Sequence, residues 1–536
     1  MTESSATPPS GHRGRGEQPG GNRGRGGFRP SRGGGRDRVG GHGGVTGSSA
    51  QRRPPSRPHT SRPPEVDAAR QAALELLEAV RERGAYANLA LPQILRDHGL
   101  SGRDAALATE LAYGSCRALG QLDAIVAACG DKPLDAVDGE VLDALRLGAY
   151  QLLHTRIPSH AAVSVTVDLI RAGPRPQAAG YVNAVLRRVS ERDLDAWVER
   201  LAPAETTDPL ARLALATAHP RWIVSALADA LRSSPRAVPP TDAPPAAQRS
   251  TEEPSADQAP ADLAELTQAL EANYAPDAVH LVARPGMIDR DELVEAAGGE
   301  PGRFSRYAVY LRGGDPGRLV AVASGAAGVQ DEGSQLVALA LADAEIDGSD
   351  SRWLDLAAGP GGKAALLGAL AAQRGAHLDA VELARHRADL VRKTTKSLPV
   401  TVHLADGREP GLEPGSFDRV LLDAPCTGLG ALRRRPESRW RRTDADVAPL
   451  VELQRELLAS AARLVRPGGI VAYATCSPLL AETAGVVARR PEELELIDAR
   501  EYFPGVPDLG IGPTVQLWPH RQGTDGMFCA LMRRTS

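Results

Sequence analysis

From Gly328 to the end of the chain, short apolar runs alternate with amphipathic stretches. The runs 353–356, 378–382, 400–404, 418–423, 470–474 and 527–532 have the length and composition of buried strands. Between or before them, 334–342, 385–396 and 450–464 repeat apolar residues at helical spacing. Such alternation predicts a mostly parallel α/β sheet with helices on both faces. Ligands of these sheets sit at the carboxyl ends of the strands, so the residues that follow each run are where chemistry is expected.

After the first run comes Asp355-Leu356-Ala357-Ala358-Gly359-Pro360-Gly361-Gly362-Lys363, a glycine-rich loop that opens a helix. Glycines let a backbone approach a ligand closely, and a helix amino terminus favours negative charge. A nucleoside-triphosphate loop is excluded, because Ala357 and Ala364 stand where glycine and a hydroxyl residue are required. Gly359-x-Gly361-x-x-Ala364 does fit a dinucleotide pattern, and Glu382 ends the second run, where a ribose hydroxyl would lie. The loop alone fits a nicotinamide dinucleotide and S-adenosylmethionine equally.

Two further run ends carry thiols, in Asp423-Ala424-Pro425-Cys426 and Thr475-Cys476-Ser477. A lone free cysteine is most often a buried core residue. Two at strand ends of one domain point instead to a covalent bond that is made and then broken. A thiolate is both a strong nucleophile and a competent leaving group. Added to carbon 6 of a pyrimidine, it makes carbon 5 able to accept a methyl group. Asp423 is the acid expected beside the ring nitrogen, where charge develops. A second thiol can act as the base that removes the carbon-5 proton. A nicotinamide dehydrogenase needs neither thiol, so S-adenosylmethionine is the expected cofactor.

The rest of the chain divides by composition. Residues 64–204 read as helical, with Ala73, Leu76, Leu77 and Val80, then Leu107, Leu111 and Cys116, at three- and four-residue spacing. The stretch 141–154 is apolar nearly all round and is expected inside a bundle. Residues 206–232 are helical again, with Pro220 suited to a first turn. Residues 233–262, rich in Pro, Ala, Ser and Asp, are expected to be a disordered insertion. Runs at 279–283, 308–311 and 319–323 around a helix near 289–297 predict a small α/β subdomain.

The first 63 residues, with Arg13-Gly14-Arg15-Gly16 and Arg23-Gly24-Arg25-Gly26, cannot bury a core. Such tails bind RNA by charge and stacking or simply solubilise. The whole chain carries a net charge of −4, so outside this tail RNA contact has to rely on local patches. One candidate is 433–442, six arginines around Trp440. Another is Asn183, Arg187 and Arg188 on one helical stretch, while Arg103 and Asp104 read as a structural pair. Five cysteines without C-x-x-C spacing argue for a reducing compartment and against a structural zinc. No run reaches the roughly 18 apolar residues of a membrane span, and no secretory h-region is present. The expectation is a cytoplasmic protein with no metal and no membrane.

With these residues in view, most of 64–536 closely resembles the RsmB/Sun family of RNA 5-methylcytosine methyltransferases. The likeness rests on Glu110-Leu111-Ala112-Tyr113-Gly114, Leu145-Arg146-Leu147-Gly148-Ala149-Tyr150 and Val182-Asn183-Ala184-Val185-Leu186 in the helical part. Val329-Gln330-Asp331-Glu332-Gly333-Ser334-Gln335, the glycine loop, both cysteine motifs and Thr524-Asp525-Gly526-Met527-Phe528 carry it further. The resemblance implies an all-α NusB-like domain over 64–205 and a Rossmann-like class I S-adenosylmethionine-dependent methyltransferase domain over 328–536. Linker helices and a small α/β RNA-binding subdomain over 206–327 would join them.

It also implies that Cys476 is the nucleophile, that Cys426 releases product and that Asp423 lies between cofactor and target base. Ala357, Ala358, Gly359, Pro360, Gly361, Gly362 and Lys363 would hold the cofactor, with Glu382 on its ribose and Asp406 against its adenine. This loop departs from the family's usual pattern at Ala357, Gly359 and Ala364, all small enough to keep the turn. The implied partner is RNA, in particular small-subunit (16S) rRNA or an assembling subunit, with no obligate protein partner evident. Two rival readings are a catalytically silent RNA-binding assembly factor and a DNA cytosine-5 methyltransferase, in which the two cysteines would exchange roles.

Overall fold

The computed structural model describes residues 67–234, 258–275 and 278–536. The Arg/Gly-rich tail and most of the segment 233–262 lie outside them. The two ends of that segment correct the expectation of disorder. Ser233 closes the helix Arg221–Ser233, and the helix Gln258–Tyr274 already runs through 258–262. The cause is tertiary: Leu266, Ala269 and Leu270 bury against Ile223, Val224 and Leu227, which stabilises the helix beyond what its composition favours.

Helices from Ala68 to Leu201 enclose one core. The first is capped by Asp67, whose side chain accepts the Arg70 N–H, and is ended by Gly84 in the left-handed conformation. As its pattern predicts, Gly139–His154 runs through the interior, burying Val141, Leu145, Leu147, Ala149 and Tyr150. Its buried Asp143 is paired with Arg81 at 2.7 Å and Arg146 at 3.1 Å, which offsets the desolvation of the charge.

A four-stranded antiparallel sheet follows, made of β1 (Val279–Ala283), β2 (Glu300–Pro301), β3 (Ala308–Leu311) and β4 (Ala327–Val329), in the order β2-β3-β1-β4. The run 319–323, expected as a strand, is a helical turn, Val320–Ala323. The place beside β1 is taken by β4, and Val320 is left 83% exposed. An apolar run without a partner strand does not extend.

The last domain contains β5 (Arg352–Asp355), β6 (His377–Glu382), β7 (Val400–Leu404), β8 (Phe417–Asp423), β9 (Val465–Thr475), β10 (Leu494–Ile497), β11 (Val515–Gln516) and β12 (Phe528–Arg534). They form one sheet in the order β10-β12-β9-β8-β5-β6-β7, with β11 on β12. Strands β5 to β9 pair in parallel, and β10 to β12 are antiparallel. Helices Glu332–Asp343 and Gly362–Gln373 cover one face and Val447–Leu464 the other. Strands covered on both sides need continuous apolar runs, which is why their positions are readable in the sequence.

Candidate active site

The strand order fixes the site. Strand β5 lies between β6 and β8, and β9 flanks β8, so four carboxyl ends open side by side. Asp423 stands opposite Ala474 across β8 and β9, which brings Cys426 and Cys476 together. Their Sγ atoms are 3.5 Å apart and hydrogen-bonded. Both thiols are partly exposed, whereas Cys116, Cys129 and Cys529 are buried.

A buried polar frame holds the two cysteine turns. Thr427 Oγ1 lies 3.1 Å from Ser477 Oγ, joining the residues that follow each cysteine. Glu482, fully buried, accepts from the Thr427 N–H at 2.8 Å and from its hydroxyl at 2.6 Å. Gln454 donates to the Pro425 carbonyl at 2.8 Å, and the Gly430 N–H donates to the Cys476 carbonyl at 2.9 Å. None of this frame was legible in the sequence, because its members are 28 to 55 residues apart.

The thiols differ electrostatically. The hydrogen bond from Cys426 lowers the Cys476 thiol, and the Arg435 and Lys363 cations add to this against burial and Asp423. Cys426 is raised by the same hydrogen bond, by burial and by the carboxylates of Glu482 and Asp423. Asp423 weighs on both sulfurs, but the cations act on Cys476 and Glu482 on Cys426. Of the two, Cys476 is therefore the one favoured as thiolate and Cys426 the one favoured as thiol.

The glycine loop turns sharply at the end of β5, with Gly359 at φ 57° and Gly361 at φ 97°, conformations that side chains disfavour. Lys363, in the first turn of the following helix, reaches across to Asp423, Nζ to Oδ2 at 2.7 Å. Burial works against its charge, but Asp423 outweighs this and holds the ammonium above its ordinary value. Glu382 ends β6 and accepts the Ala384 N–H at 2.8 Å with Oε1, leaving Oε2 without a hydrogen bond among the described residues. Beside it Leu383 is 66% exposed. Asp406 follows β7, and hydrogen bonds from Arg408 engage both its oxygens and hold it below the usual carboxylate range.

Asp355 is the residue that sequence reasoning passed over. It is wholly buried at the end of β5, and no side chain bonds to either carboxylate oxygen, only the Ala357 backbone tempering its charge. Burial, then the nearby Asp423, push its pKa up to about 7. A polar orphan is rare in a folded interior and marks a place built for an absent partner. The available signal was its position, a carboxylate directly before the glycine loop.

The basic run 433–442 is a correction. It stitches the molecule together rather than presenting a surface. Arg433 and Arg434 donate to Asp525 and Asp331. Arg439 is buried and donates to the Asn273 and Ala218 carbonyls, Trp440 Nε1 donates to the Arg117 carbonyl at 2.8 Å, and Arg441 donates to the Ala85 carbonyl. Helix ends leave carbonyls unpaired, and these arginines satisfy several of them. Arg435 stays exposed, beside the thiols. Arg103 and Asp104 are both exposed, and among the described residues no salt bridge joins them, which corrects their reading as a pair. On the helix Ala179–Val189, Arg187 and Arg188 are exposed and Asn183 is half-buried, and Arg188 donates to the Cys129 carbonyl at 2.7 Å.

A parallel sheet with a glycine loop after its first strand and carboxylates after the next two defines the class, a methyltransferase joined to a helical domain. The family described as 16S rRNA methyltransferase RsmB/F matches residues 339–533, and the NusB family matches 67–191. The Mycobacterium tuberculosis protein Rv1407, named as a methyltransferase, is 52% identical over 484 residues, 90% of this chain and 99% of that one. Ribosomal RNA small subunit methyltransferase B of Pseudomonas putida is 33% identical over 452 residues, 81% of this chain and 92% of that one. The crystal structure of PH0851 shares the fold, with a TM-score of 0.69 at 22% identity, covering 88% of this chain and 99% of that one. The chain belongs to the RsmB/F family of rRNA methyltransferases. Among the described residues no helix is long and apolar enough to cross a membrane, and no group of three or more potential metal ligands occurs.

Proposed function

We propose that this protein methylates carbon 5 of a cytidine in small-subunit rRNA, through a covalent bond between Cys476 and the base. The observation that carries this is the pair of thiols 3.5 Å apart, one favoured as thiolate and the other as thiol. A methyl transfer to a phosphate, amine or ribose oxygen has no use for both. The name of the Pseudomonas putida relative supports rRNA as the substrate class.

The residues fit S-adenosylmethionine. The loop 357–363 supplies a close backbone surface, the free Oε2 of Glu382 suits a ribose hydroxyl, and exposed Leu383 offers an apolar face. The orphaned Asp355 calls for a cationic group, which the methionine ammonium provides. Asp406, whose two oxygens take four contacts from Arg408, would accept from the adenine edge by exchanging one of them. When bound, the cofactor supplies the methyl group.

The protein's own residues do the rest. The Cys476 thiolate forms a bond to carbon 6, and the displaced electron pair moves into the ring toward carbon 5 and the ring nitrogen. Asp423 lies against that nitrogen, and the Lys363 ammonium at 2.7 Å provides the proton that a carboxylate alone lacks. Carbon 5 then takes the methyl group. Once Cys476 is bonded to carbon 6, its hydrogen bond and charge no longer raise Cys426, which gives its proton to solvent and, as thiolate, removes the carbon-5 hydrogen. The electron pair left behind re-forms the ring double bond and expels Cys476, and the ring nitrogen returns its proton to Lys363 beside Asp423.

The test is a trapping experiment in cells. Cys426→Ala is expected to accumulate an RNase-sensitive, slower-migrating adduct on a denaturing gel, with the bond mapped to Cys476, and Cys476→Ala is not. Trapping by Cys476→Ala alone would reverse the roles. No adduct from either variant, with no methyl transfer by the wild type, would favour the silent assembly factor.

A further inference from the structure

A cleft of about 730 Å³ lies between the four-stranded sheet and the methyltransferase domain. One wall is Val282, Arg284 and the turn 322–329. The other is Pro360 and Gly362 of the glycine loop with Lys393, Lys396 and Ser397 after β6. No carboxylate lines it.

Three observations make it a site for an anion. Arg284 is 5% exposed, has no acidic partner among the described residues, and leaves its Nε buried without a hydrogen bond. Its Nη1 donates to the Gly325 and Thr394 carbonyls at 2.6 and 2.9 Å, so the guanidinium is fixed at the seam. An uncompensated buried cation is expensive unless an anion approaches it. Lys393 and Lys396 are exposed and, among the described residues, form no salt bridge, unlike their neighbour Arg392, which pairs with Asp389 at 2.7 Å. Finally, the chain holds only four lysines among 63 basic residues, and two of them line this cleft. Flexible ammonium groups follow a moving phosphate, whereas the neighbouring Arg392 is held by Asp389.

We infer that this cleft, with Arg284, Lys393 and Lys396 as its cations, binds the phosphodiester backbone of the substrate RNA beside the glycine loop. The inference rests on the RNA reading proposed above and adds where a strand is gripped. The volume accommodates about one nucleotide unit rather than a duplex. The cations face backbone rather than base edges, so the site positions the strand without reading its sequence.

The test compares the full-length wild type with K393Q/K396Q, which leaves Arg284 and its two carbonyl bonds intact. Binding of an in vitro transcript of small-subunit rRNA is measured across a salt series, together with KM for RNA, KM for S-adenosylmethionine and the melting temperature. The inference expects RNA binding about tenfold weaker near physiological salt and a salt slope reduced by about 2, one per lysine. KM for S-adenosylmethionine and the melting temperature are expected to stay unchanged. An unchanged slope and RNA KM, with the wild type active, overturns the cleft and leaves the proposed reaction standing. A lowered melting temperature with unchanged RNA binding makes the lysines a helix-end device and overturns it too. Inorganic phosphate that binds the wild type but not the variant, without any difference in RNA affinity, marks a small-anion pocket and also overturns it. A wild type that neither binds nor methylates the transcript overturns the RNA reading itself.

Discussion

Trp440, from the methyltransferase domain, lays its six-membered ring on Gly120 in the helix Gly102–Cys129, where an added Cβ would overlap the ring. The indole N–H donates to the Arg117 carbonyl one turn earlier, so a flat face and a hydrogen bond are used together. This contact joins two regions that match separate families.

Replacing Trp440 with Ala is expected to cost about 3 kcal/mol, as for other large-to-small changes at packed positions. Gly120→Leu should do similar damage by displacing the ring. Thermal unfolding checks both, and hydrogen exchange should place the added opening in 102–129. A Trp440→Ala protein that melts like the wild type would show that the contact is incidental.

Asp355→Asn should stabilise the ligand-free protein at alkaline pH. The folded carboxyl is raised to about 7, so its protonated form is favoured on folding. That contribution is complete below the unfolded value near 4 and is lost as pH rises through about 7. Wild type and variant should be alike at pH 4 and diverge by roughly 4 kcal/mol at pH 8. Urea midpoints across this range test the sign. Cofactor affinity should fall in the same variant, because the orphaned charge is gone.

Asp331 has the opposite sign. Burial raises it, but the His280 hydrogen bond and the Arg434 and Arg433 charges prevail and hold it well below the carboxylate range. Stability from this group is present above about pH 4 and is lost as pH falls. Asp331→Asn should cost about 3 kcal/mol at pH 7, the lower part of the range for breaking a buried pair, and progressively less in acid. A pH-independent difference would refute the electrostatic account.

Arg435→Gln should raise the pH at which activity begins. Arg435 helps hold the Cys476 thiol below its usual value, and the thiolate exists only above that pKa. The acid limb of kcat/KM is expected to move to higher pH, a small displacement because the guanidinium is exposed and screened. Lys363→Met should move the limb in the same direction, because that ammonium also lowers the Cys476 thiol. Limbs that coincide in all three proteins would assign the ionisation to another group.

The strands were legible where burial on both faces writes a continuous apolar run, so 470–474 lies within Val465–Thr475 and is buried throughout. The run 319–323 misled because apolar residues alone do not say whether a partner edge is vacant. The arginines of 433–442 misled for a related reason. A charge looks the same in a sequence whether it faces phosphate or a carbonyl, and the carbonyls of Ala218 and Ala85 lie 221 and 356 residues away.

What the sequence by itself determined is chemistry carried by local order: a glycine turn after one strand, a carboxylate after the next, and a thiol after each of two others. Each of those depends on residues within a few positions of one another. Only the tertiary structure decided that the two thiols meet, that Asp355 is buried without a side-chain partner, and that Lys363 pairs with Asp423. Those outcomes depend on distances between strands that are neighbours in the sheet and remote in the chain. Charge interactions fall off with separation in space, and the order of residues along a chain does not record it.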